Sequence, residues 1–86
     1  MFNEAEITSR VKKCMVSVFE VVEGKINDES SMDNIEEWDS LRHIRLIIAL
    51  EQEFGISFPD EEVALLTSVK LLGTAVSDAL ERRNLQ

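Results

Sequence analysis

The sequence predicts an all-α fold, a small four-helix bundle with a long loop between the first and second helices and a short third helix. Apolar residues recur at steps of three and four along three stretches of the chain, as in helices that bury one face. No stretch of useful length alternates apolar and polar residues as a half-buried strand would. The 86 residues suffice for one thin hydrophobic core but not two, so a single domain over residues 1–86 is expected.

The first predicted helix covers residues 4–22. Its apolar stripe consists of residues three or four positions apart, namely Ile7, Val11, Cys14, Val18 and Val22. Gly24 is expected to stop the helix. Cys14 lies on the stripe, so we expect it to be a buried small hydrophobe and not a reactive thiol.

Residues 25–39 have no sustained period and are rich in acids, which predicts a long ordered loop. Loops of about 15 residues are uncommon in compact domains and tend to be functional. Met32 and Ile35 are expected to anchor this loop to the core. The acidic run at 28–33 suggests a calcium loop but lacks the glycine of an EF-hand, so we predict no metal site and at most incidental cation binding.

The second predicted helix begins after Asp39, a favourable N-cap residue. It ends at Gly55, which can adopt the left-handed conformation of a helix terminus, and Ile56 is expected to fold back on the last turn. Residues 46–50 are apolar nearly all round the helix. This helix should therefore be central and leave apolar surface for a partner.

The last two predicted helices are unequal in length. The third is short and opens at residues 59–62, where a proline precedes three acids that suit a first helical turn. Ser68 is expected to cap the fourth, with Arg82 and Arg83 at its favourable C-terminal end. The shared apolar face of the fourth helix is Val69, Leu72, Val76, Ala79 and Leu80.

The charge balance narrows the classes of partner. Seventeen acidic and nine basic side chains leave a net charge of -8, which repels phosphate backbones and anionic lipid. Nucleic acid and membrane surfaces are therefore not expected as partners, whereas basic protein surfaces are. Hydrophobic residues make up 44% of the chain, too many for a disordered acidic tail.

Cysteine and histidine content limits the chemistry further. With one cysteine and one histidine, no internal disulfide can form and a zinc site would lack its usual ligands. The acidic start does not resemble a signal peptide, and no apolar run approaches the ~20 residues that span a bilayer. We expect a soluble, monomeric, cytoplasmic protein without membrane insertion.

Ser40 is the candidate for chemistry. It follows the predicted cap, in the first turn of the central helix, where free backbone N–H groups and the helix dipole favour a phosphate esterified to its hydroxyl. The alternative is that Ser40 is only a good first-turn residue.

The residues around Ser40 carry a resemblance to a known family. Positions 38–41 read Trp-Asp-Ser-Leu, positions 50–56 read Leu-Glu-Gln-Glu-Phe-Gly-Ile, and positions 58–61 read Phe-Pro-Asp-Glu. This pattern resembles the acyl carrier protein family, in which an Asp-Ser-Leu triplet opens the second helix. Positions 67–69, Thr-Ser-Val, are similar to the start of the family's last helix, so the likeness spans nearly the whole chain.

The resemblance implies a carrier and not an enzyme. Ser40 would hold a covalent 4′-phosphopantetheine, Asp39 would help a phosphopantetheinyl transferase position its metal and coenzyme A, and Leu41 would dock into that enzyme. The thiol of the arm would carry acyl groups as thioesters, so the catalysis would belong to partner ligases, synthases and transferases. The function implied is a discrete acyl carrier that moves intermediates between separate enzymes.

The second helix departs from carriers of fatty acid synthesis, which usually show acids just after the serine triplet. Arg42 and Arg45 stand there instead, with His43 between them, so a basic patch is expected. The arginines would pair locally with Glu36, Glu37 or Asp39, face acids on a partner, or have no role. The patch points toward a dedicated fatty-acid, polyketide-like or other specialised pathway. The predicted docking residues are Arg42, Ile44, Arg45, Ile48 and Glu51, with Leu41 on the same stripe.

Other interpretations remain open at this point. Within the same fold, a peptidyl or aminoacyl carrier would look alike, and an unmodified acidic helical adaptor would use the same stripe for protein binding only. His43 stands three residues after Ser40 and invites a hydrolase interpretation, but no orienting group or oxyanion hole is apparent, and a solvated His43 is expected. Four aromatic residues are expected in the core: Phe19, Trp38, Phe54 and Phe58.

Overall fold

The computed structural model describes residues 2–84 of the chain, which form four α-helices. α1 spans Glu4–Phe19, α2 spans Ser40–Phe54, α3 spans Asp60–Val63 and α4 spans Val69–Asn84, with a short 3₁₀ turn at Glu23–Lys25. α1 packs against both α2 and α4. The predicted all-α bundle, with its long first loop and short third helix, is confirmed.

The core lies between the three long helices and draws side chains from each of them. Its largest fully buried members are Val11, Met15, Phe19, Leu46, Leu50, Val69, Leu72 and Val76. Each such side chain contributes about 1.5–3 kcal/mol when it leaves water. The four aromatic residues expected in the core are buried there.

The first helix ends three residues earlier than predicted, at Phe19 and not at Val22. Glu20 adopts a left-handed conformation with φ 56°, and its N–H donates to the carbonyl of Val16, so the chain turns away from the helix axis. Val22 is consequently 75% exposed, and Gly24 lies in the 3₁₀ turn. The physical reason is that two β-branched valines follow Glu20, and such residues favour extended backbone over helix.

The predicted stripe of α1 is also shifted. Its buried residues are four positions apart, namely Ile7, Val11, Met15 and Phe19. Cys14 and Val18 lie beside this row and are half-buried. Burial raises the pKa of the Cys14 thiol, and the nearby carboxylate of Glu53 raises it further. This agrees with an unreactive cysteine, because the thiolate is the nucleophilic form.

The connection between α1 and α2 is an ordered loop, as predicted, and short-range hydrogen bonds hold it. The Oγ of Ser30 accepts from the N–H of Asn27, and the Oδ1 of Asn34 accepts from the N–H of Ser31. An antiparallel bridge joins Ser31 to Ser68 at the start of α4. Ile35 is buried and Met32 packs against the core, so the loop is anchored at the two expected positions.

The predicted helix ends of α2 and α4 are confirmed. Gly55 is left-handed with φ 64°, and the N–H groups of Gly55 and Ile56 both donate to the carbonyl of Glu51. Arg83 of α4 adds a hydrogen bond of 3.0 Å from Nη1 to the carbonyl of Phe54. The Oγ of Ser68 accepts from the N–H of Leu71 and so caps α4.

The helices are short relative to a bilayer. Among residues 2–84, no helix is long and apolar enough to cross a membrane.

Candidate functional site at the start of α2

Asp39 sets the start of α2 by capping it. Its backbone is extended, with φ -103°, and its Oδ1 accepts from the N–H of Arg42 at 2.8 Å. Ser40 is therefore the first helical residue, and its side chain is exposed. The predicted position of the Ser40 hydroxyl, at the N-terminus of the central helix, is confirmed.

The backbone around Ser40 is suited to a phosphate ester. Within the described part of the chain, the N–H groups of Ser40 and Leu41 donate to no protein acceptor. These two donors lie at the positive end of the helix dipole, and the first turn of α2 contains no acid. A phosphate on the Ser40 oxygen would be stabilised by both features.

Arg42 and Arg45 differ in their surroundings although they lie three residues apart. The Nη1 of Arg42 donates to Asp39 Oδ2 at 3.1 Å and to the carbonyl of Glu37 at 3.3 Å. Local pairing, one of the three expectations for the arginines, is thus observed for Arg42. Arg45 is exposed and forms no ion pair with any residue from 2 to 84.

The prediction that His43 is solvated is wrong. His43 is 5% exposed, and both of its ring nitrogens are hydrogen-bonded. Trp38 Nε1 donates to His43 Nδ1 at 2.9 Å, and His43 Nε2 lies 2.7 Å from the carbonyl oxygen of Val63, in α3. The physical reason is that these partners replace water at both nitrogens, which makes burial of an imidazole possible.

The burial of His43 contradicts the predicted basic patch and the hydrolase interpretation. The basic patch of Arg42, His43 and Arg45 contracts to Arg45, because His43 is inside and Arg42 is paired. The hydrolase interpretation also loses its base, since both nitrogens of His43 are engaged elsewhere and no hydrogen bond joins His43 to Ser40 within residues 2–84.

An exposed apolar stripe runs along α2 from the Ser40 end. It consists of Leu41, Ile44 and Ile48, which are 62%, 50% and 50% exposed. Their spacing of three and four residues puts them on one face, with Arg45 one turn from both Leu41 and Ile48. Apolar side chains of this size in a contiguous row are typical of a protein-binding surface.

Glu51, the remaining predicted docking residue, has an intramolecular partner. Its Oε2 accepts from the N–H of Phe58 at 2.9 Å and so ties the segment before α3 to α2. This contact occupies one carboxylate oxygen of the half-buried side chain.

Ion pairs offset much of the acidity of the loop before α2. Lys25 donates to Glu37 at 2.8 Å, and this hydrogen bond, with help from the backbone of Glu37, holds the pKa of that carboxyl below its usual range. Lys12 does the same to the pKa of Asp28 through a hydrogen bond of 2.8 Å. In the part of the chain that the structure describes, no three metal-ligating side chains are grouped.

Sequence reasoning did not identify the contacts of His43 and of Val63. Trp38 and His43 are five residues apart across a helix start, which is not a helical spacing. Val63 is a further twenty residues along the chain. The one available signal was the pairing of an indole donor with an imidazole on either side of the serine.

Fold and site together define a class of protein. A four-helix bundle presents an exposed serine hydroxyl at the N-terminus of its central helix, beside an exposed apolar stripe. This arrangement is that of a domain that presents one side chain, and the group attached to it, to other proteins.

Comparison with known proteins specifies the class. The family model described as "Phosphopantetheine attachment site" matches residues 9–76, which is most of the chain. The chain therefore belongs to the phosphopantetheine attachment site family. Its structure is similar to the solution NMR structure of holo acyl carrier protein from Geobacter metallireducens, with a TM-score of 0.79 and 29% sequence identity. The match covers 92% of this chain and 91% of that one.

The predicted family, cofactor and carrier class are thereby confirmed. The chain is a carrier protein with a covalently attached 4′-phosphopantetheine and is not an enzyme. Carriers of this family interact with phosphopantetheinyl transferases and with biosynthetic enzymes.

Proposed function

We propose that this chain is a discrete acyl carrier, a single domain over residues 1–86, whose 4′-phosphopantetheine is attached to Ser40. The observation that carries the proposal is the exposed Ser40 hydroxyl at the capped N-terminus of α2, inside the segment that matches the family model. When bound, the arm supplies a thiol that carries acyl groups as thioesters.

Attachment follows from the position of Ser40. A transferase would remove the hydroxyl proton while the serine oxygen attacks the β-phosphorus of coenzyme A and 3′,5′-adenosine diphosphate leaves. This chain then has only to present the oxygen and to stabilise the resulting phosphodiester. The N–H groups of Ser40 and Leu41, which donate to no acceptor within residues 2–84, would do so, and Asp39 precedes them in the chain, where it would help orient the metal and coenzyme A of the transferase.

A loading experiment tests the attachment site. The protein is incubated with coenzyme A and a broad-specificity phosphopantetheinyl transferase, and intact masses are recorded for wild type, Ser40→Ala and Ser57→Ala. Ser57 is the matched control because it is exposed and lies outside the start of α2. We expect one added phosphopantetheinyl group on wild type and on Ser57→Ala, and none on Ser40→Ala. No added mass on wild type, or an equal gain on Ser40→Ala, would refute the proposal.

The exposed stripe of α2 is the proposed docking surface for partner enzymes. Leu41, Ile44 and Ile48 supply apolar contact, and next to them lies the guanidinium of Arg45, which forms no ion pair within residues 2–84. A complementary partner presents an apolar surface with a carboxylate opposite Arg45. Arg42 contributes less charge because Asp39 neutralises it, and Glu51 contributes its remaining carboxylate oxygen.

This surface supports a specialised pathway for the carrier. A partner that reads acids on the first turns of the second helix would meet Arg45 there and bind weakly. We therefore propose a dedicated fatty-acid, polyketide-like or other specialised pathway, in a reducing compartment such as the cytoplasm, where the thiol of the arm stays free to be acylated.

A charge reversal tests the docking surface. Arg45→Glu is compared with Lys13→Glu, which makes the same charge change at an exposed residue of α1 with no ion pair among residues 2–84. With the loaded carrier and its acylating enzyme, we expect a fall of about tenfold in kcat/KM for Arg45→Glu, as for the loss of a close charge pair. Lys13→Glu should leave kcat/KM within about twofold. Equal values for the two variants would contradict the role of Arg45.

A further inference from the structure

Three groups form a chain of hydrogen bonds, and the first two of them lie on either side of Ser40 in the sequence. The indole N–H of Trp38 donates to Nδ1 of His43, and Nε2 of His43 lies 2.7 Å from the carbonyl oxygen of Val63. Trp38 is 2% exposed and His43 is 5% exposed. The planes of the two rings are 30° apart, and their centroids are 6.0 Å apart.

The chemistry of the three groups allows only one arrangement of protons. An indole N–H can only donate, so Nδ1 of His43 must accept. A carbonyl oxygen can only accept, so Nε2 must donate to Val63. His43 is therefore a neutral imidazole with its proton on Nε2, and no other residue type at position 43 offers this acceptor and donor on one rigid ring.

The first bond holds the segment that leads into the site. Trp38 directly precedes Asp39, whose side chain caps α2 and whose carbonyl accepts the N–H of His43 at 2.8 Å. The ring of His43 thus restrains position 38, whereas its backbone N–H makes the first i→i−4 hydrogen bond of α2 to position 39, as any residue there would. Ser40 follows these two positions directly, so its own position depends on theirs.

The second bond holds α3. This helix has four residues and none of them is fully buried; its one apolar side chain, Val63, packs against the core while partly exposed, so the packing of α3 itself is limited. Two side chains of α2 contact the backbone of this region, Glu51 at Phe58 before α3 and His43 at Val63 in its last residue. The contact of His43 connects α3 to the same residue that restrains the approach to Ser40.

We infer that His43 is a positioning residue for the modification of Ser40, acting through Trp38, and that it couples this site to α3. The inference rests on the proposed attachment at Ser40. Loss of the ring would leave the Trp38 N–H without its acceptor, and Trp38, Asp39 and the Ser40 oxygen would then occupy a range of positions. Attack on a bound phosphorus needs a narrow geometry, so kcat of loading falls while KM changes little.

Three variants separate the two bonds. His43→Leu removes both hydrogen bonds and replaces the ring by an apolar side chain of similar volume. Trp38→Phe removes only the bond between Trp38 and His43. His43→Gln retains one acceptor and one donor in its amide and is the rescue variant. Ser30→Ala is the matched control, because it removes a buried side-chain hydrogen bond from the loop without touching Trp38 or α3.

Two readouts are recorded for folded protein well below its melting temperature. NMR reports the tautomer of His43 through its ¹⁵N shifts and the hydrogen bond of Trp38 through its indole N–H shift. Steady-state kinetics of loading with coenzyme A and a transferase give kcat and KM separately. We expect the Nε2–H tautomer in wild type and a displaced indole signal in His43→Leu. We expect kcat to fall about tenfold in His43→Leu and Trp38→Phe and to recover at least partly in His43→Gln, with Ser30→Ala near wild type.

Distinct outcomes would overturn the inference. An Nδ1–H tautomer in wild type would refute the hydrogen-bond chain. Wild-type kcat in both Trp38→Phe and His43→Leu, or the same fall in Ser30→Ala, would leave His43 as a structural residue only. If His43→Leu does not fold, Trp38→Phe and His43→Gln still decide the matter. A wild-type protein that takes no phosphopantetheine contradicts the proposed function instead, and the NMR result stands apart from it.

Discussion

The two faces of α2 contain residues of unexpected polarity. The buried face includes the only histidine of the chain beside Leu46 and Leu50, whereas the exposed face carries Ile44 and Ile48. The histidine is inside because two hydrogen bonds replace its contacts with water. The isoleucines are outside because α1 and α4 cover only one side of the helix. Burial in this domain therefore depends on which helices and hydrogen-bonding groups surround a side chain, and not on its polarity alone.

The two faces of α2 also differ in what they contribute, the buried face to stability and the exposed face to the binding of other molecules. Apolar side chains that remain in water contribute nothing to the core and favour association with other molecules. Residues on the buried face therefore hold the bundle together, and those on the exposed face are available to partners.

The largest expected effect contrasts the two faces directly. Leu50→Ala should lower the free energy of unfolding by about 2–5 kcal/mol, because Leu50 is fully buried and a cavity remains. Ile48→Ala should change it by less than about 0.5 kcal/mol, because half of that side chain is already in water. Urea denaturation followed by circular dichroism measures both. Similar losses for the two variants would show that the faces do not differ in this way.

A smaller effect is expected at Gly55, where α2 ends. Gly55→Ala should lower the free energy of unfolding by about 1 kcal/mol, since φ at this position is +64° and alanine disfavours that conformation. Its Cβ would also lie 3.1 Å from Nη1 of Arg83, which bonds the carbonyl of Phe54. Gly24→Ala is the control, because no atom lies within 4 Å of its added Cβ and its φ is not positive. Equal unfolding midpoints for the two variants would contradict the role of Gly55.

The smallest effect concerns the exposed charges of the loop that leads into α2. Hydrogen bonds from Lys12 and Lys25 lower the pKa values of Asp28 and Glu37. Because these carboxyls titrate lower when folded, their contribution is complete above about pH 5 and is lost as pH falls through the folded pKa values. The melting temperature should therefore decrease between pH 6 and pH 3. Lys25→Met should flatten this decrease slightly, whereas Lys13→Met should not. If the slope of melting temperature against pH is unchanged in Lys25→Met, Glu37 does not contribute to the decrease.

Much of the fold was predictable because helix ends obey local rules. Asp39 and Ser68 each accept from the backbone N–H three residues ahead, and Gly55 supplies a left-handed residue, so each signal and its consequence lie within one turn. The end of α1 was predicted wrongly because Gly24 is only a permissive residue. Glu20, which has no local signal for the left-handed conformation, ends the helix instead.

The site was predictable in part for the same reason. Ser40 follows its cap in the chain, so its exposure at a helix N-terminus could be deduced from adjacent residues. The state of His43 could not, because its second partner, Val63, is twenty residues away and reaches it only when α3 folds over α2. The different surroundings of Arg42 and Arg45 depend likewise on where Asp39 and Glu37 lie once α2 has formed.

The sequence by itself determined the helical class, the caps and the place of Ser40, because periodicity and capping act over three or four residues. The tertiary structure decided which apolar face of α2 is covered, where α1 stops and that His43 is buried. These outcomes depend on contacts between residues far apart in the chain, whose partners exist only after the bundle has assembled.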